Sequence, residues 1–396
     1  MGELITMVDK HLGLKLKTTY FLIAGALSCY YPFLILFLKD RHLNYIQMGI
    51  CFAASPLIAV ISQPIWGYIT DKYLNKKITL IIVLSCSNLF ILTLIFSKTF
   101  YTLLTSIILL SMFMTSMGPV LDALCLEAAS LHEDIQFYKI RLMGSIGYAV
   151  CVSLMGVMIK YTNTYVPFYG FLALNVACII LAVTIKYNQR AKSPHINPRY
   201  ILSLFKNRKF VLFILSTLLL NISICSNGNY ISELIKSTGG DVSNLGLLWC
   251  VVALFEVPTF FYGNKLLSNY KDLNLYYLCL VFFAIRYFLN SMCTSWQWVI
   301  AVQMMQAITF ALYTLAALHY LSRIVPSAML TSGLMLHAAF GNGLGGFIGN
   351  ITGGIVLEAL NIQWFYRILA LICLASLGIA AFIEKRVRTK ILVTDI

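Results

Sequence analysis

The chain has 396 residues, 60% of them hydrophobic and only 11% charged, with a mean hydropathy of +0.82 and a formal net charge of +14. So little charge cannot cover the surface of a soluble protein of this length. The basic excess follows membrane topology, as shown below, which excludes nucleic acid as the partner it serves.

Twelve apolar windows long enough to cross a bilayer follow one another, roughly at 18–38, 46–70, 78–97, 101–128, 140–159, 165–186, 210–233, 244–267, 274–292, 297–321, 329–357 and 363–383. The first lacks a small-residue cleavage site and is read as a retained span. Pro32, Pro56, Pro64, Pro119 and Pro258 fall within spans, where a proline is tolerated only if neighbours or a cavity satisfy the carbonyl it frees. After the sixth span comes "YNQRAKSPHINPRYILSLFKNRK", basic and holding two prolines. It predicts a cytoplasmic linker, 188–209, between an N-terminal six-helix bundle, 1–187, and a C-terminal one, 210–396. The fold class is therefore an all-α membrane protein of twelve transmembrane helices in two pseudo-symmetric bundles.

With the N-terminus cytoplasmic, external segments hold five of the 29 Lys and Arg (Lys39, Arg41, Lys98, Lys160, Lys236). Three more (Arg141, Arg286, Arg367) lie in or beside apolar runs, and cytoplasmic segments hold the other 21. This split obeys the positive-inside rule and predicts a multi-pass protein of the cell membrane with both termini in the cytoplasm. The eleven Cys include no CxxC and fall almost entirely inside apolar runs, so neither a zinc site nor a disulfide framework is expected. No metal, cofactor or nucleic-acid partner is predicted, and the chain is read as a monomer.

A charge at the centre of a spanning helix costs roughly 2.5–3.5 kcal/mol, so such residues pair or face a polar cavity. The fourth and fifth spans carry Asp122 and Arg141, nearly equidistant from their connecting turn at "SLHEDIQF". Antiparallel helices hold both at one depth, about 10–14 Å from the turn. They are expected to meet across a cavity and contact substrate; a static tie between two helices is the alternative. Tyr148, two turns beyond Arg141, lies on the same face and can stack on a sugar or an aromatic ring. In the second half Glu256, just before Pro258, and Arg286 are the candidates for proton coupling, joined by Glu127 nearer a span end. His319 and His337 are read as packing residues. In the eleventh span Gly341, Gly345, Gly349 and Gly353 recur every four residues, a seam for close helix packing.

"GYITDKYLNKK", 67–77, resembles the cytoplasmic loop motif of the major facilitator superfamily, with Asn75 in place of its second glycine. The resemblance assigns a gating role to Gly67, Asp71, Lys72, Lys76 and Lys77, with Gly67 permitting tight helix contact. "YFLIAGALSCYYPFLILFLKD", "GICFAASPLIAVISQPIWGYITDK" and "FYKIRLMGSIGYAVCVSLMG" are similar to segments of the lactose permease branch, which includes oligosaccharide, nucleoside and phenylpropionate symporters. In that branch Asp122 and Arg141 stand where a carboxylate and an arginine bind sugar hydroxyls, Tyr148 where a tryptophan stacks, and Arg286 where an arginine lies in the ninth span. The His and Glu central to proton coupling in lactose permease fall at Gln306 and Thr309 here. The expectation is a proton-coupled symporter importing a small hydroxylated or aromatic solute by alternating access, with its site near mid-membrane between the halves. An efflux pump for amphipathic compounds or sugars is the alternative. No HExxH, GxSxG or nucleotide loop occurs, so an enzyme is not expected.

Overall fold

The computed structural model describes residues 11–132, 135–185, 204–269, 271–325 and 330–391, and among them there is no strand. The helices are α1 (Leu12–Asp40), α2 (Tyr45–Lys72), α3 (Lys76–Phe96), α4 (Phe100–Leu131), α5 (Phe137–Tyr161) and α6 (Val166–Thr184). After the basic segment follow α7 (Arg208–Ser237), α8 (Val242–Asn269), α9 (Asp272–Asn290), α10 (Trp296–Ile324), α11 (330–359) and α12 (Ile362–Ile391). Among the described residues eleven helices are long and apolar enough to cross a membrane. The remaining expected span is α11, whose regularity is broken by a π-helical segment, Ala339–Gly345.

Local chemistry explains the starts and breaks. Asn75 caps α3 by accepting from the Ile78 amide at 2.7 Å, so the residue replacing the motif glycine has a capping role. Thr99 and Thr102 cap α4 reciprocally. Pro32, lacking an amide hydrogen, coincides with the turn that interrupts α1 between Tyr30 and Leu34. α10 tightens into a 3₁₀ turn at Met304–Ala307.

The chain divides into two compact units. Unit 1 comprises Met1–Leu43, Leu57–Pro194 and Leu245–Ala253; unit 2 comprises Asn44–Pro56, His195–Asn244 and Leu254–Ile396. Unit 1 is built on the approach of α1 to α5. A Cβ on Gly144 would lie 2.6 Å from the Tyr20 ring, and one on Gly147 would lie 2.3 Å from the Phe21 carbonyl oxygen. The piece of α8 in this unit docks on α5 in the same manner, with Gly246 against the Val152 carbonyl.

Unit 2 contains the glycine seam. Gly341 and Gly345 face Asn221 and Leu218 of α7, Gly349 faces the Ile222 carbonyl, and Gly353 faces the Tyr230 ring. The first turns of α2 are part of this unit. Tyr45 Oη donates to Glu233 at 2.7 Å, its amide donates to Glu358 at 2.8 Å, and Asn350 Nδ2 donates to the Phe52 carbonyl at 3.2 Å.

Among the described residues nothing lies within 4 Å of where a Cβ on Gly67 would sit. The two glycine environments predict opposite outcomes. At Gly349 an added Cβ meets backbone oxygen at 2.4 Å, and such overpacking costs about 1–3 kcal/mol. Gly349→Ala is expected to lower the melting temperature in detergent by several degrees, while Gly67→Ala leaves it within about a degree. Equal melting temperatures for the two variants would refute the seam.

Candidate functional site

In unit 1 the site begins with a proline. Pro119 lies within α4 and cannot donate to the carbonyl one turn back, that of Thr115. Gln63 Nε2 takes this carbonyl at 3.0 Å, and Ser62 Oγ lies 3.1 Å from Thr115 Oγ1. The freed acceptor is thus met by a side chain of α2, and the helix continues to Asp122.

Asp122 is half-buried, and its Oδ1 accepts from Tyr20 Oη at 2.6 Å. The expected ion pair with Arg141 is not formed: no salt bridge links them among the described residues, and Arg141 is exposed in the first turns of α5. The reason lies in packing. Gly144 and Gly147 admit α1 to backbone contact with α5, so an α1 side chain takes the place beside Asp122 that depth alone gave to the arginine. Arg141 remains within electrostatic range of the Tyr20 phenol. The second carboxylate oxygen, Oδ2, accepts no hydrogen bond, and the Arg141 guanidinium makes none, among the described residues. Tyr148, half-buried, follows two turns along α5.

The second-half candidates converge on α10. Gln306 Nε2 donates to Glu256 Oε1 at 3.1 Å, and Arg286 Nη1 donates to Thr309 Oγ1 at 2.6 Å. Glu256 and Arg286 form no ion pair with each other among the described residues; each is held by one of two residues at the 3₁₀ turn. Arg286 is only 2% exposed, and its guanidinium lies 5.5 Å from the Phe283 ring centre and 5.2 Å from that of Tyr287. Its Nε has no hydrogen-bond partner among the described residues. Gln306 and Thr309 stand where the lactose permease branch resemblance puts the coupling His and Glu, and here they hydrogen-bond the carboxylate and the arginine.

Glu127 has a partner of its own in unit 1. It is ion-paired with Lys76 at the start of α3, with both side chains mostly buried. The loop motif therefore makes separate contacts. Lys77 Nζ caps the end of α6 through the carbonyls of Val183 and Ile185, at 2.8 and 2.6 Å. Lys72 donates to Tyr68 Oη at 2.6 Å. The Asp71 side chain lies outside the described residues.

His337 packs as expected, stacked on Phe213 at 5.9 Å. His319 does not: its Nδ1 lies 2.8 Å from Oδ1 of Asp272, whose Oδ2 meets Arg323 Nε at 3.0 Å. Asp272, 1% exposed, opens α9, and His319 and Arg323 of α10 each engage one of its carboxylate oxygens. No cluster of metal-ligating side chains occurs among the described residues.

Tyr20 is the site residue that sequence reading missed. The signal for it was Gly144 and Gly147 directly after Arg141, two small residues three apart that mark a close helix approach.

A profile of the MFS_1-like family matches residues 13–368. The chain is 27% identical over 374 residues to the maltose permease of Geobacillus stearothermophilus, covering 93% of this chain and 94% of that one. It is 28% identical over 173 residues to the lactose permease of Citrobacter freundii, covering 41% and 40%. In three dimensions it is similar to the nucleoside transporter NupG, with a TM-score of 0.83, 17% identity, and coverage of 94% and 99%; this likeness concerns the fold.

Proposed function

Since the chain belongs to the MFS_1-like family of the major facilitator superfamily, as a multi-pass membrane transporter of small molecules and not an enzyme, we propose that it is a proton-coupled symporter importing a neutral hydroxylated solute by alternating access. The observation that carries the solute class is the pair of unengaged groups in unit 1. Asp122 offers Oδ2 as an acceptor and Arg141 offers its guanidinium as a donor, with Tyr148 two turns further along α5. A hydroxyl both donates and accepts, so adjacent hydroxyls of one solute satisfy both groups with charge-assisted hydrogen bonds. Similarity to permeases named for maltose and lactose favours a sugar among such solutes. In this reading Glu256, held by an uncharged amide and within electrostatic range of Arg286, carries the coupled proton. The transporter acts as a monomer in the cell membrane with both termini in the cytoplasm.

The test is thermal stabilisation of the purified protein by maltose, uridine and 3-phenylpropionate, for wild type and Asp122→Asn. Maltose or uridine is expected to raise the wild-type melting temperature by about 2–5 °C at saturation, through binding linked to folding, and to leave Asp122→Asn unmoved. A shift with 3-phenylpropionate alone, or equal shifts in both proteins, would count against the reading.

A further inference from the structure

Tyr20 stands outside every role described so far. Its phenol is neither a helix cap nor a packing filler, because its oxygen lies 2.6 Å from a carboxylate oxygen, within the range of charge-assisted O–H···O⁻ bonds. We propose that Tyr20 is a specificity-determining residue of the solute site. By occupying Oδ1 of Asp122 it leaves this carboxylate one oxygen for solute, so the site reads one hydroxyl donor at Asp122 and a neighbouring acceptor at Arg141. The proposal rests on the reading of Asp122 and Arg141 as solute contacts.

An ionised carboxylate has two oxygens and can accept bidentately from two neighbouring donors. With both oxygens available, Asp122 would hold a vicinal diol by itself, two hydroxyls donating in parallel, or would grip an amine or guanidinium. The Tyr20 phenol removes that option. The diol must then divide its hydroxyls, one donating to Oδ2 and the next accepting from Arg141, and both hydroxyls become necessary. A solute that offers only donors finds one free oxygen and faces a guanidinium it cannot satisfy. The chemistry selected is a neutral polyol with adjacent hydroxyls.

The phenol is held in place by more than its hydrogen bond. A Cβ at residue 144 would stand 2.6 Å from Tyr20 Cδ1 and 2.7 Å from Cε1, so the ring lies flush against the α5 backbone. One turn on, Gly147 meets the Phe21 carbonyl oxygen and Cα, at 2.3 and 2.9 Å from its Cβ position. The α1 backbone directly after the phenol is thereby fixed against α5. An arriving solute meets a preorganised phenol rather than a mobile one, which is the condition for Tyr20 to limit the donors that Asp122 accepts.

Uptake of uridine and 2′-deoxyuridine into proteoliposomes, with maltose as a second polyol, separates the outcomes in wild type, Tyr20→Phe and Gly144→Ala. In wild type, loss of one vicinal hydroxyl is expected to raise KM at least about tenfold, the order for losing a hydrogen bond that leaves a charged partner unmet. Tyr20→Phe frees Oδ1; KM for uridine rises several-fold, kcat stays within about twofold, and the penalty on the deoxy analogue falls below about threefold. Gly144→Ala keeps every polar group of the site yet displaces the ring, and it reproduces the narrowed penalty. If KM for parent and deoxy solute rises by one common factor in both variants, Tyr20 only packs and the proposal is overturned. If wild type takes up neither uridine nor maltose, the transport reading itself fails, a result visible before any variant is made.

Discussion

Asp122→Asn is expected to lower kcat/KM for the transported solute about 100-fold, with the melting temperature of the empty protein little changed. The amide oxygen of asparagine can still accept from Tyr20, which preserves the bond that orders α1 against α4. The NH₂ group then replaces Oδ2. It presents a donor where a solute hydroxyl needs an acceptor, beside Arg141, which is already a donor. Losing a charge-assisted hydrogen bond costs about 1.5–3 kcal/mol, and a factor of 100 corresponds to about 2.7 kcal/mol. Initial rates over a range of solute concentrations check this. Uptake within twofold of wild type would remove Asp122 from the site and leave it as a partner of Tyr20 alone.

Glu256→Gln is expected to abolish accumulation while sparing exchange. The substituted amide keeps the size of the side chain and can still hydrogen-bond Gln306, whose Nε2 lies 3.1 Å from Oε1 in the native protein. It cannot take up or release a proton. In proteoliposomes with a pH gradient of one unit, a symporter moving one proton per solute concentrates its solute up to about tenfold, each tenfold being 1.4 kcal/mol. The variant should bring the solute only to equal concentrations on the two sides, and should exchange internal for external solute at a rate near that of wild type. Accumulation that survives in Glu256→Gln would place the coupled proton on another group.

Much of this architecture is written in composition. Runs of apolar residues locate the helices because lipid leaves the backbone no alternative to internal hydrogen bonding. Their ends were less legible: α1 begins at Leu12 and α12 continues to Ile391, because a helix does not stop where its hydrophobicity does. Asp122, Arg141, Glu256 and Arg286 announced themselves as charges with no cheap reason to be in a membrane. Their partners did not. Tyr20 sits in "TTYFLIAG", where an aromatic residue in a spanning helix carries no signal until packing on Gly144 fixes where its oxygen points. Depth set Asp122 opposite Arg141, yet depth is one coordinate of three, and the azimuth of α1 decided the pairing. Asp272 with His319 and Arg323 escaped for a similar reason, since one end of α9 and the opposite end of α10 meet only through the hairpin. Gly67 shows the converse: a glycine belonging to a recognised motif has no neighbour within 4 Å of its Cβ position among the described residues, while the unheralded Gly144 and Gly147 are the positions that allow backbone contact.

Two helices are divided between the compact units. The division of α2 falls after Pro56; α8 is divided twice, before Leu245 and before Leu254. Pro56 deprives the Phe52 carbonyl of its helical partner, and Asn350 supplies a substitute; Pro258 deprives the carbonyl of Leu254 in the same way. Each shared helix thus has a weakened backbone bond within a turn of one of its boundaries between units. Mechanically these are flexures: continuous rods thinned at one point, able to bend there without fraying at their ends.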